Sequence, residues 1–191
     1  MTTELHPLGF FLPENTRLLM LGSFPPPRAR WSMDFYYPNI QNDMWRILGL
    51  IFYGNKDAFL RDKKAFSEEK AKAFCREKGI GIGDTAMEVI RLKANASDKF
   101  LEVVRPIDPE KVLSQIPECV AIVVTGQKAM DTLLSVLPGT EEPKVGFSSE
   151  FDCMGRTMRL FRMPSSSRAY PRPLEEKAAV YRGMFETLGM V

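Results

Sequence analysis

The sequence is poor in the residues that most hydrolytic and redox chemistry relies on. It has one histidine, His6, in 191 residues. That leaves no basis for a histidine zinc site or a His-based catalytic triad, unless His6 folds back into a site. The three cysteines, Cys75, Cys119 and Cys153, are odd in number and widely spaced. They form no disulfide framework and no C-x-x-C metal knuckle, and an iron–sulfur cluster would call for a fourth. No run approaches the roughly 18 consecutive apolar residues that span a bilayer. The start, MTTELHPLGFFLPEN, lacks the basic and apolar regions of a secretory signal, so the expected location is cytoplasmic. No metal and no cofactor is expected.

What is present suits one α/β domain over residues 1–191. With 45% hydrophobic residues the chain has the material for a core. Net charge is only +2, but five arginines (Arg156, Arg159, Arg162, Arg168 and Arg172) fall between Phe151 and Pro173 with a single acid, Asp152. Such a local excess is expected to meet phosphate at one face.

Arg17 to Gly22 reads as a buried parallel strand, and Val120 to Val124 is the clearest strand in the chain. Ile80 to Asp84 is a further short strand. Glu150 to Met154 and Thr157 to Met163 read as a hairpin. Helices are expected over Asn42 to Phe52, Asp108 to Ile116, Gln127 to Leu137 and Leu174 to Leu188. Lys56 to Lys78 is expected to hold one or two more, closed by Gly79. The alternation predicts a three-layer α/β/α sandwich with a mostly parallel central sheet. In such sheets ligands bind beyond the carboxyl ends of the strands. Two unusual loops leave those ends: Ser23 to Asn42, with three consecutive prolines, and Pro164 to Pro173, rich in serine, arginine and proline.

Four segments carry a resemblance. LMLGSFPPPRARWSMDFYYPNIQNDMWRIL is similar to a signature of strand, Gly-Ser-x-Pro-Gly, Tyr-Tyr pair and Pro-x-Asn-x-Phe-Trp. MPSSSRA is similar to Leu-Pro-Ser-Thr-Ser-Pro-Ala. KGIGIGDTAMEVIRLKANASDKF resembles a glycine-rich turn, an acidic residue and a basic helix, and VVTGQKA resembles Asn-Gly-x-Lys-Ala with Thr125 in place of the asparagine. In this order they resemble the hypoxanthine-DNA glycosylases of the uracil-DNA glycosylase superfamily. The chain departs from that pattern at Pro26, at Met44 and at Arg168-Ala169-Tyr170.

The resemblance implies a monofunctional DNA glycosylase, monomeric and cofactor-free, which hydrolyses the N-glycosidic bond of a deaminated base, hypoxanthine or uracil, flipped out of DNA. It implies Asn42 as the catalytic residue, orienting water or binding the base, although a helix N-cap is the commoner use of asparagine there. Gly22, Ser23, Phe24, Tyr36, Tyr37 and Met44 would line the base pocket. Pro164, Ser165, Ser166, Ser167 and Arg168 would contact DNA phosphates. Asp43 reads as a first-turn residue and Asp84 as structural support at a strand end. Two other readings stay open: a non-catalytic nucleic-acid-binding member of the same fold, and an α/β enzyme acting on a small phosphorylated metabolite.

Overall fold

The computed structural model describes residues 2–93 and 97–191. Among them are ten strands: β1 (Thr3–Leu5), β2 (Leu18–Gly22), β3 (Leu60–Asp62), β4 (Ala65–Phe66), β5 (Ile80–Asp84), β6 (Ala86–Arg91), β7 (Leu101–Pro106), β8 (Ala121–Thr125), β9 (Ser148–Cys153) and β10 (Arg156–Met163). The helices are α1 (Met44–Tyr53), α2 (Glu68–Lys78), α3 (Pro109–Leu113), α4 (Gln127–Leu134) and α5 (Leu174–Thr187).

The sheet sorts its side chains with period two. Every residue of β2 is buried. Leu18 and Met20 join Trp45 of α1, Phe74 of α2 and Tyr181 of α5 in one core layer. Leu19 and Leu21 point the other way, to Val112 of α3 and to Met130 and Leu133 of α4. A strand covered on both faces needs apolar residues at every position, which is why it reads as a continuous run. The sheet order is β5-β2-β8-β10-β9, with only the β9–β10 hairpin antiparallel. This is the α/β/α sandwich with a mostly parallel sheet.

Two segments differ from their sequence reading. The first half of Lys56 to Lys78 is not helix but a turn and the small β3–β4 hairpin. Asn55 and Asp62 take the N–H groups of Asp57 and Lys64 at 2.9 and 2.8 Å, giving the backbone local turns in place of helical bonds. Helix α2 starts only where the Ser67 hydroxyl accepts from Lys70 N–H, and Gly79 ends it in the left-handed region at φ 67°. The expected basic helix after Asp84 is instead strand β6, paired antiparallel with β1 on one side and β7 on the other. β1 lies more than 80 positions away in sequence, and pairing on both sides decides the conformation. Residues 94–96 of that segment lie outside the described part.

Candidate active site

A cleft of about 660 Å³ opens beyond the carboxyl ends of β2, β5, β8 and β10. That volume is within the ordinary range for a small-molecule site. Gly22 and Ser23 come from the end of β2, Asp84 from β5 and Thr125 from β8, and the serine loop follows β10. The segment from Tyr36 to Asn42 closes the cleft ahead of α1.

Asn42 and Ser167 face each other as an isolated antiparallel bridge, and Asp43 N–H donates to the Ser166 carbonyl at 2.9 Å. The entry to α1 and the serine loop are therefore joined through their backbones. Asp43, not Asn42, is the formal cap of α1, and its side chain makes no capping bond. Asn42 supplies that bond from one residue earlier, its Oδ1 accepting Met44 N–H at 3.0 Å. With the oxygen engaged, what Asn42 can offer a ligand is its Nδ2 amide, a donor. Asp43 Oδ1 is shared by Arg168 Nε at 3.1 Å and Arg46 Nη1 at 3.3 Å, so it is a charge clamp and not a free base.

The serine loop is held by its carbonyls. Pro164 O accepts from Tyr181 Oη at 2.6 Å, and Ser167 O accepts from Lys177 Nζ at 2.8 Å. Burial lowers the Lys177 pKa. The Ser165 hydroxyl accepts Ser167 N–H and the Ser167 hydroxyl accepts Ala169 N–H, both at 3.2 Å. Each hydroxyl keeps its own hydrogen for an outside acceptor.

At the other end, Gly22 is required by close approach, because a Cβ there would lie 2.6 Å from Asp84 Oδ1. Tyr37, with φ 52° in the left-handed region that disfavours side chains, brings its hydroxyl to 3.4 Å from Thr125 Oγ1. Burial raises the pKa of both Tyr36 and Tyr37, which keeps the phenols neutral. Ser23 Oγ donates to Asp98 at 2.7 Å, and burial pushes the Asp98 carboxyl up. Asp84 Oδ2 accepts from His6 Nε2 at 2.7 Å.

No protein-family model and no curated protein matches the chain. Among solved structures, the solution NMR structure of a candidate uracil DNA glycosylase from Methanosarcina acetivorans is similar, with a TM-score of 0.62 and 24% identity. The match covers 93% of this chain and 96% of that one. The fold is uracil-DNA glycosylase-like.

This uracil-DNA glycosylase-like fold gathers most of the residues singled out in the sequence. Asn42, Gly22, Ser23, Phe24, Tyr36, Tyr37, Ser165, Ser166, Ser167 and Arg168 all line the one cleft. Two do not. Met44 is fully buried in the core among the residues of α1 and α5, because the first turn of α1 faces the sheet. Pro164 is buried, its carbonyl tied to Tyr181, and it is withdrawn from the cleft.

The arginine cluster is a cluster only in sequence. Arg156 sits at the far end of β10 and donates to the carbonyls of Pro117 at 2.7 Å and Leu113 at 3.2 Å. Arg162 is paired with Glu142 at 2.8 Å and with Gln127. Arg159, opposite the first residue of β8, is likewise remote from the strand ends that form the cleft. Arg168 alone of the five lines the cleft, where Arg30 and Lys99 add positive charge.

Sequence reasoning missed Asp98 as a cleft residue and His6 as the partner of Asp84, and it read Asp84 as support only. Nothing local to these residues marks them: His6 reaches Asp84 across 78 positions and Ser23 reaches Asp98 across 75. The cysteines stay outside the site. All three are buried and free, and burial pushes the thiols of Cys75 and Cys119 up to about 12 and about 11. Among the described residues no helix is long and apolar enough to cross a membrane.

Proposed function

We propose that the protein is a monofunctional DNA glycosylase that hydrolyses the N-glycosidic bond of a deaminated base, hypoxanthine or uracil, turned out of DNA into this cleft. The observation that carries this reading is the backbone bridge between Asn42 and Ser167. It sets an amide donor and a loop of hydroxyl donors at one mouth of a cleft whose floor is narrow enough to need glycine. The similarity to a candidate uracil DNA glycosylase supports it at the level of fold.

In this reading Ser165, Ser167 and Arg168 donate to the phosphates beside the extruded nucleotide, which fixes its position without reading sequence. Phe24, Tyr36 and Tyr37 supply the aromatic walls around the base. The Asn42 amide donates to the attacking water. Water oxygen bonds to the anomeric carbon, the bond from that carbon to the base nitrogen breaks with its electron pair leaving on the base, and the proton the water loses ends on the departing base. Donors fixed in the cleft stabilise the charge that develops on the departing base. No lysine forms a covalent intermediate: Lys177 Nζ is turned to the Ser167 carbonyl, and Lys99 stands at the cleft beside the Phe100 ring.

The test is incubation of purified protein with duplex and single-stranded oligonucleotides carrying uracil, hypoxanthine or xanthine, with chromatography of the released base. Release of one of these bases with an intact abasic strand, and no complex trapped by borohydride, is the expected result. DNA binding without release from any substrate would instead favour a non-catalytic role.

A further inference from the structure

We infer that His6 is a positioning residue of the cleft. It locks Asp84 so that one carboxylate oxygen faces the ligand, as the acceptor for a ring N–H on the far edge of the extruded base. This inference rests on the proposed function and names the feature by which that site selects its substrate.

The sole histidine is delivered to the site by strand pairing. β1 lies antiparallel to β6, the strand that begins two residues after Asp84, and His6 N–H donates to the Met87 carbonyl at 2.9 Å. The imidazole packs edge-on against Phe24 at 5.2 Å and beside Tyr36 at 5.9 Å, two residues that line the cleft. Its Nδ1 side meets the backbone of Leu8, with the carbonyl at 2.8 Å and the N–H at 3.1 Å. The ring is anchored whichever of these it uses. The side chains of His6 and Asp84 are 5% and 8% exposed.

His6 takes Asp84 Oδ2. Oδ1 lies over Gly22 at the floor of the cleft, so close that a Cβ would collide with it. Oδ1 accepts no hydrogen bond from any of the described residues. A carboxylate oxygen only accepts, and a part-buried acceptor favours a ligand that donates to it. Nearby, Asp43 Oδ1 is shared by two arginines and Asp98 Oδ2 takes the Ser23 hydroxyl; Asp84 differs in that its remaining oxygen lies over Gly22 at the cleft floor.

Position assigns the role. β5 is three strands from β10 in the sheet, about 14 Å at the usual strand spacing. With the phosphate held by the serine loop after β10, that is the reach of a nucleotide from its phosphate to the outer edge of its base, well past the anomeric carbon. Asp84 therefore meets the base and not the attacking water. Deamination turns a ring nitrogen that accepts into a lactam N–H that donates, as in hypoxanthine and uracil. Asp84 Oδ1 is the matching acceptor for that N–H. Without His6 the carboxylate is free to turn about its own bond, and the acceptor loses its fixed direction.

The experiment compares duplexes carrying hypoxanthine with duplexes carrying its isostere in which the ring N–H is a C–H. Both release and the binding of non-hydrolysable 2′-fluoro versions are measured. Wild-type protein is expected to prefer the N–H base by roughly 10- to 100-fold, the worth of a hydrogen bond to a charged group. His6→Phe keeps the ring packing and removes the donor, and is expected to lose most of that preference. His6→Gln, which retains an N–H, should recover part of it, and Asp84→Ala should abolish it. Thermal unfolding of each variant checks that the fold is kept, and His6→Gln decides the matter if His6→Phe does not fold. An unchanged preference in His6→Phe, or in Asp84→Ala, overturns the inference. If wild-type protein releases neither base, the proposed catalytic function fails, and the binding preference still decides the role of His6.

Discussion

Asn42 and Ser167, 125 positions apart in sequence, meet as a single antiparallel bridge, and the next residue, Asp43, donates its N–H to the Ser166 carbonyl at 2.9 Å. A contact of this kind joins the two main chains directly, without a movable side chain between them. The two loops that leave β2 and β10 are thereby fixed relative to one another, although β8 separates their strands. Each element of the proposed chemistry depends on that join.

Substitution separates the bond Asn42 makes to Met44 N–H from its proposed role as a donor in the cleft. Asn42→Ala removes both the acceptor for Met44 N–H and the amide donor. It should cost about 1 kcal/mol of stability and lower base release on the order of 10²–10³-fold. Asn42→Asp keeps an oxygen for Met44 and removes the donor. Its melting temperature should stay near wild type while release falls as far. Full activity in Asn42→Asp would show that the side chain serves the helix alone.

Arg168 and Arg156 are predicted to fail in different ways. Arg168→Ala should weaken DNA binding and reduce the slope of log affinity against log salt by about one, with little change in melting temperature. Arg156→Ala strips the donor from the carbonyls of Leu113 and Pro117. It should destabilise the fold by about 1–3 kcal/mol and leave the salt slope unchanged. Salt titrations of binding and thermal unfolding on both variants check this.

Gly22→Ala places a methyl group 2.6 Å from Asp84 Oδ1. The carboxylate must move, since β2 is fixed between β5 and β8. Overpacking of this kind costs about 1–3 kcal/mol, and release should fall by more than the stability loss accounts for. Steady-state kinetics below the melting transition make the comparison.

Asp98 gives the fold a pH dependence of definite sign. Burial raises its pKa, so the folded protein keeps a proton that the unfolded chain has already released. This group's contribution to stability is greatest in acid, below the unfolded carboxylate value, and declines as pH rises through the folded value. Asp98→Asn removes the decline. The melting temperature of the variant should rise relative to wild type as the pH is raised above the unfolded carboxylate value, about 3.9. Parallel curves would count against the assignment.

Legibility from sequence followed the range of the interactions. The strands of the central sheet and the helices on it were readable because burial on both faces leaves a local apolar pattern, as in Leu18–Gly22 and Ala121–Thr125. The two loops were readable because prolines and serines mark them, and the rule of strand carboxyl ends placed them at the cleft. Strand β6 was not, since what makes it a strand is Thr3–Leu5 and Leu101–Pro106 on either side. The hairpin arginines misled because charge density along a chain does not say which ends of a strand the side chains occupy, and Arg156 turned inward to carbonyls. Met44 was assigned by alignment to a motif, while the facing of α1 toward the sheet took it into the core. His6 had no local signal at all; only the β1–β6 register brings it to Asp84.

The most direct test of the central claim is a structure of the protein bound to a duplex containing a non-hydrolysable 2′-fluoro hypoxanthine nucleotide. The account predicts that base turned out of the helix and seated in the cleft with its ring N–H on Asp84, its flanking phosphates on the Ser165 and Ser167 hydroxyls. A base still stacked in the duplex, or DNA bound on a face away from the Asn42–Ser167 bridge, would contradict it.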